Sequence, residues 1–151
     1  MDYLQATYPG QPWHTNIRVG PIDPHVPRDG LSDAERAIMG TFRRYADAVI
    51  PLDGRLVVVE TTMIKAVMKI GPLLEYLKLA PQTDEHPEWR SLRTQGELVS
   101  PVPDPRAEAL CEEIGLRFVV FSVPWLDRYF EAYGRRFRTA PLSNVRQGFV
   151  D

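Results

Sequence analysis

With a single cysteine, Cys111, in 151 residues, the chain can form neither an internal disulfide framework nor a cysteine zinc site, so a reducing compartment is expected. No apolar run approaches the roughly 20 residues that a bilayer requires. The opening MDYLQATYPG has neither the basic start nor the apolar stretch of a secretory signal. A protein that is neither secreted nor held in a membrane is the resulting expectation. An excess of one charge is missing too: 18 Lys+Arg against 20 Asp+Glu give a formal charge of -2. That balance excludes a histone-like binder driven by charge alone, although local basic patches stay open. His14, His25 and His86 are scattered without i, i+4 or other short ligand spacing, so zinc is not expected. Gly-rich phosphate loops, Ser/His/Asp patterns and internal repeats are likewise missing.

What is present is 44% apolar side chains, enough at this length for one domain that buries roughly two thirds of its unfolded surface. Five of the fourteen prolines, Pro9, Pro12, Pro21, Pro24 and Pro27, fall in the first 27 residues. Proline fixes φ and removes a donor, so 1–30 reads as an extended arm with at most one short strand, at Asn16 to Val19. Residues 134–151 lack periodicity and carry Arg135, Arg136, Arg138 and Arg146 with no acid before Asp151, which reads as a basic C-terminal arm. The core lies between them, over 31–133.

Within the core, Ser32 and Glu35 have capping-box spacing ahead of a short helix over about 33–39. Tyr45 to Ile50 and Leu56 to Thr61 predict a hairpin, because Asp53-Gly54 supplies the positive φ of a tight turn. The unbroken run Leu56 to Val59 places the second strand centrally, covered on both faces. Pro72 suits a first helical position, with Leu73, Tyr76, Leu77 and Ala80 on one face and Pro81 beyond the end. Gln82 to Gly96 is polar and loop-like, with a short strand at Leu98 to Ser100. Asp104 caps a helix bearing Ala107, Leu110, Cys111 and Ile114, closed by Gly115. Leu116 to Ser122 predicts a strand, and Pro124 opens a last helix with Leu126, Tyr129, Phe130 and Tyr133. The order specifies an α/β fold, a mixed central sheet flanked by helices.

Asp47 on the first hairpin strand and Glu60 at the end of the second can be brought together by the tight turn. Carboxylates that close repel unless a cation lies between them, and two hard oxygens with open positions suit Mg²⁺ or Mn²⁺. The structural alternative is that Asp47 pairs with Arg43, Arg44 or Arg55 and Glu60 caps a following segment.

The segment Arg44-Tyr45-Ala46-Asp47-Ala48-Val49 followed by Leu56-Val57-Val58-Val59-Glu60-Thr61-Thr62 resembles the PD-(D/E)xK nuclease superfamily, in which an Asp begins one strand and an acid-x-Lys triplet ends the next. The resemblance extends through Gly71 to Tyr76 and the helix and strand of 104–122, covering about 32–130. It also resembles small proteins of this fold encoded among tailed-phage structural genes, through Arg18-Val19-Gly20 and Pro124-Trp125-Leu126-Asp127-Arg128-Tyr129. The resemblance implies a restriction-endonuclease-like core and metal-assisted phosphodiester hydrolysis. Asp47, Glu60 and the Thr61 carbonyl would hold Mg²⁺ or Mn²⁺, with Tyr76 on the following helix.

Three departures stand out. Thr62 occupies the lysine position, leaving Lys65 or Lys69 as displaced replacements. Pro72 stands where RecB-like members carry a glutamine. Only one hairpin precedes Pro72 where three strands are expected, and Asn16 to Val19 is the segment that can supply the third.

Two functional readings follow. One is a catalytically degenerate nuclease-like scaffold, a structural component of an assembly such as a tailed-phage virion or a homo-oligomeric ring, located in the virion or host cytoplasm. The other is a metal-dependent DNA nuclease whose lysine has moved. Losing a transition-state donor costs about 100- to 1000-fold in rate, and the paired losses favour the scaffold. Arg135, Arg136 and Arg138 around Phe137 offer a patch for nucleic acid or a partner, or simply a helix end with arginines by its carbonyls. Trp13 is the interface anchor, Trp125 a core residue and Cys111 a buried small hydrophobe.

Overall fold

Asp53 and Gly54 form the two-residue turn that the sequence predicts, with Gly54 at φ +69°. They join β2 (Arg44–Leu52) to β3 (Arg55–Thr61) as an antiparallel pair with Val49 opposite Val58 and Ala48 opposite Val59. A computed structural model describes residues 2–23, 25, 29, 30, 32, 34, 35 and 43–136, with 133–136 by their backbone path only. Around the hairpin lie α1 (Asp2–Thr7), β1 (His14–Val19), α2 (Val67–Leu79), β4 (Arg93–Ser100), α3 (Pro105–Glu113), β5 (Arg117–Val120) and α4 (Leu126–Arg136). Two 3-10 turns, Ala80–Gln82 and Pro87–Ser91, link α2 to β4.

The sheet order is β1-β2-β3-β4-β5. The first three strands are antiparallel neighbours, and β3, β4 and β5 are parallel. The missing third antiparallel strand is therefore β1, and the α/β architecture is consistent with a restriction-endonuclease-like core. β3 is central, and its alternate residues enter two cores. Leu56 and Val58 pack with Ile70 and Leu73 of α2 and Ala107 and Cys111 of α3. Val57 and Val59 pack with Tyr3, Leu4 and Tyr8 on the other face.

The N-terminal segment is consequently not an extended arm. Its first residues form a helix because Tyr3 and Leu4 have an apolar sheet face to cover, and Trp13 packs partly buried against that same core. On this face Glu97 of β4 is fully buried. It accepts the Tyr3 hydroxyl at 2.6 Å and Arg117 Nη1 at 2.9 Å. Burial first, then hydrogen bonding to Glu97 and after it the Glu97 charge, pushes the Tyr8 phenol up to about 12.

Other expectations change as well. The second helix starts at Val67, five residues before Pro72. Its opening turn closes by shorter bonds, from the Met68 N–H to the Lys65 carbonyl and from the Lys69 N–H to the Ala66 carbonyl. Pro72 forfeits one hydrogen bond near the helix start, which the burial of Ala66, Ile70 and Leu73 offsets. Arg93 to Gly96, within the segment read as loop, is strand. Trp125 is 55% exposed, with Nε1 donating to Asp2 Oδ2 at 3.1 Å, so it is not core. Asp104 does cap α3, accepting the Ala107 N–H at 3.0 Å. Ser32 and Glu35 exchange capping bonds, Ser32 N–H to Oε2 at 2.8 Å and Glu35 N–H to Oγ at 3.3 Å. The rest of the helix expected over 33–39 lies outside the described residues, apart from Ala34. No helix among the described residues is long and apolar enough to cross a membrane.

Gly96 explains why β4 is hard to read from sequence. A Cβ there would stand 2.6 Å from Leu116 Cδ2, 3.0 Å from Leu77 Cδ1 and 3.4 Å from Leu73 Cδ2. Helix α2 and the corner before β5 press directly onto this backbone. Leucine tips can yield to a methyl group but not to an isopropyl group. Gly96→Val should therefore cost about 1–3 kcal/mol by overpacking, read as a lowered urea midpoint at constant m value.

Candidate functional site

Glu60 is the last fully covered residue of β3, and its side chain is only 3% exposed. Parity puts it on the face of Leu56 and Val58, under helix α2. One oxygen, Oε1, accepts Lys69 Nζ at 2.5 Å. The other, Oε2, is buried with no hydrogen-bond partner. The Asp47 amide faces the carboxylate and favours its charged form, without closing a hydrogen bond of normal geometry to Oε2. Burial nevertheless dominates and holds the Glu60 pKa above the ordinary carboxylate value, and the nearby Asp47 charge adds to the rise.

Asp47 lies just past the last ladder pair, Ala48 with Val59. Its Oδ2 accepts the Thr61 N–H at 2.8 Å and the Thr61 hydroxyl at 2.5 Å. The alternation of β2 slips at this residue. Ala46 and Val49 belong to one core, Ala48 and Ile50 to the other. Asn16, which stands opposite Asp47 between the pairs Thr15–Ala48 and Ile17–Ala46, has a positive φ of 49°. The two carboxylates expected together from sequence are thus together. The arginine alternatives for Asp47 are engaged elsewhere: Arg43 with Glu85, Arg44 with Glu75 and Arg55 with Gln95.

Of the two displaced lysines, the structure brings Lys69 to the acids. Lys65 forms the corner between β3 and α2 instead. It is exposed with φ +58°, its carbonyl taking the Met68 N–H. Lys69 lies one helical turn further on, and Leu73 and Tyr76 share its helix face at i+4 and i+7. The Glu60 hydrogen bond raises the Lys69 pKa, so its ammonium stays charged at neutral pH. Tyr76 is close enough that burial, then the Glu60 charge, keeps its phenol protonated. Thr62, at the expected lysine position, is buried and donates its hydroxyl to the Ile64 carbonyl at 2.5 Å, helping to turn the chain.

The arrangement fits a hard divalent ion in one specific respect. A buried carboxylate oxygen without a partner, beside a second carboxylate, is an acceptor that lacks both a hydrogen-bond donor and a cation for its charge. No group of three or more His, Cys, Asp or Glu suited to a metal occurs among the described residues, so the carboxylate set is limited to two. A cation that keeps several waters suits such a set. The basic patch is not brought into the site by anything described: Arg135 and Arg136 end α4, and Arg138 lies outside the described residues.

Sequence reasoning missed two groupings. Glu97 gave no signal because its partners Tyr3 and Arg117 are distant in the chain. The rings of His14, His86 and Trp89 cluster, His86 stacking on Trp89 at 3.9 Å and 6°.

Lys69 is the cation bonded to the buried Glu60 carboxylate, so its removal should show in stability. Lys69→Met should lower unfolding stability by about 1–3 kcal/mol at neutral pH. The sign follows from linkage: a carboxyl whose folded pKa is raised loses stability as pH climbs from its unfolded to its folded value. Without Lys69 that pKa rises further, so the deficit should be smaller at about pH 5 than at about pH 8. Urea unfolding of both proteins across that range checks this.

No family model matches the chain, and no curated protein matches it. Among solved structures it is similar to a repair endonuclease from Pyrococcus abyssi, at 27% identity and a TM-score of 0.40, over 53% of this chain and 34% of that one. It is also similar to protein VC1899 from Vibrio cholerae, at 14% identity and a TM-score of 0.46, over 79% of this chain and 27% of that one. The chain thus spans about a third and about a quarter of their lengths.

Proposed function

We propose that the chain is a metal-dependent phosphodiesterase acting on DNA, with its catalytic lysine, Lys69, supplied by helix α2. The observation that carries this reading is the Glu60 carboxylate, buried beside Asp47 with one oxygen on Lys69 and the other unpartnered. Asp47, Glu60 and the Thr61 carbonyl are the residues that would hold Mg²⁺ or Mn²⁺. Bound there, such an ion would lower the pKa of water and offset negative charge on the reacting phosphate. The chain's own groups do the rest. Thr61 fixes the Asp47 carboxylate through two hydrogen bonds. Lys69 is 41% exposed at its side chain, so its ammonium reaches both the buried acid and solvent, where it can stabilise an attacking hydroxide electrostatically. Because it stays protonated, it acts as a fixed positive charge and not as a base. Tyr76 keeps its proton and offers a hydroxyl donor on the same helix face.

The second reading is the degenerate scaffold, recruited into a protein assembly such as a phage particle. Exposed Trp125 and Tyr129 at the head of α4 favour it as surfaces for a partner, and the Lys69 ammonium would then stand in for the metal.

Incubation with Mg²⁺ or Mn²⁺ and linear, circular and branched DNA separates the two. The nuclease reading expects cleavage that falls at least about 100-fold in Asp47→Asn, Glu60→Gln and Lys69→Met. It also expects calorimetric Mn²⁺ binding that is lost in the first two variants and retained in the third. Absence of both cleavage and Mn²⁺ binding in the wild-type chain would overturn it in favour of the scaffold.

A further inference from the structure

An open cavity of about 520 Å³ runs along β1, lined by the segment 14–18 together with Tyr45, Thr83, Glu85 and His86. That volume lies within the range of about 300–1,000 Å³ in which small-molecule ligands bind. Its walls have a distinct chemistry. Tyr45 is 42% exposed, its ring is covered on one side by the Arg18 guanidinium 5.4 Å from the centroid, and its hydroxyl accepts Arg18 Nε at 2.5 Å. At the other end His14 and His86 stand with ring centroids 4.6 Å apart, His86 held rigid by its stack on fully buried Trp89. Burial and His86 hold the His14 pKa below the ordinary imidazole value, so it presents a neutral ring. The Glu85 carboxylate is neutralised by an ion pair with Arg43, which keeps a buried Nε without a partner. The cavity therefore offers flat rings at both ends, a cation at Arg18, and no net negative charge from its one acid.

The cavity is also close to the candidate site. Arg18 is the ladder partner of Tyr45, and Tyr45 precedes Asp47 by two residues on β2. Asn16 of the lining stands opposite Asp47 on β2, one strand over at about 4.8 Å. Glu60 lies a further strand away on β3, and Tyr45 and Arg18, alternating with Ala46 and Ile17, point to the opposite face of the sheet.

We propose that this cavity is a nucleotide subsite that takes one unpaired nucleotide of a DNA strand, its base stacked against Tyr45 and its phosphate toward Arg18. A recess between rings excludes a paired base, because both faces of a base in a duplex are already stacked and its edge is occupied. The subsite's position next to Asp47 rests on the nuclease reading; its ability to bind does not.

The test is fluorescence anisotropy of a labelled single-stranded oligonucleotide of mixed sequence, in chelator so that nothing is cleaved. Arg18→Ala and Tyr45→Ala should each weaken binding about tenfold, while Tyr45→Phe, which keeps the ring, should stay within about twofold of wild type. A matched duplex should show no such dependence. In the wild-type chain, photocrosslinking of an iodouracil-bearing strand should label Tyr45 or the 14–18 segment. Absence of binding by the wild-type chain, equal affinity in the alanine variants, or crosslinks confined to other segments would overturn the proposal. Single-strand binding that depends on Tyr45 and Arg18 without any cleavage would uphold the subsite and remove the nuclease reading. Cleavage that requires Glu60 but ignores Tyr45 and Arg18 would do the reverse.

Discussion

Burying a carboxylate at the end of the central strand sets the terms for everything near it. Taking an ionised Glu60 out of water costs several kcal/mol even after the surroundings relax. One charge-assisted hydrogen bond from Lys69 returns about 1.5–3 kcal/mol, so the carboxylate remains in deficit and its pKa stays high. The strand holds this position because Leu56, Val57, Val58 and Val59 are all buried, each contributing roughly 1.5–3 kcal/mol. Hydrophobic burial on two faces therefore outweighs the cost of one ill-satisfied acid. A site kept short of charge compensation by its own scaffold is one that a cation can complete.

Glu97 shows the other outcome for a buried acid. It stands on the neighbouring strand, opposite Val59 and on the reverse face, and is fully buried. Its oxygens are taken by Tyr3 and Arg117, one from the N-terminal helix and one from β5. This acid ties α1 and an edge strand to the sheet, and no oxygen of it is left in want of a partner. Burial alone thus does not mark a functional acid. The difference between Glu97 and Glu60 lies in what surrounds each carboxylate, and only the second leaves capacity for an external ligand.

The hairpin was legible because Asp53-Gly54 and the run from Leu56 to Val59 are local signals whose meaning tertiary packing does not change. The pairing of Asp47 with Glu60 followed from the turn. β4 was hidden because its polar, glycine-containing first half is a strand for a long-range reason: Gly96 lets three leucines close on the backbone. The N-terminal helix was hidden by the prolines that follow it, since a six-residue helix has almost no stability of its own and forms only by docking Tyr3 and Leu4. Lys69 has no fixed place in the sequence pattern, because Pro72 marks a helix start and puts Lys69 outside the helix. Once the helix begins at Val67, Lys69 must lie over the end of β3, and Lys65 must lie in the corner.

The slip in β2 at Asp47 links the two features of this end of the sheet. A regular strand would pair Asp47 with Asn16 and keep strict alternation; here Asn16 adopts a left-handed φ and its pairing is lost. Asn tolerates that conformation at little cost, so the irregularity is inexpensive. It redirects a carboxylate toward Thr61 on one side, as irregular strand positions commonly re-aim side chains. On the other it interrupts the β1–β2 pairing at Asn16, within the segment that lines the cavity. A single local departure from sheet geometry thus shapes both the acid pair and the recess beside it.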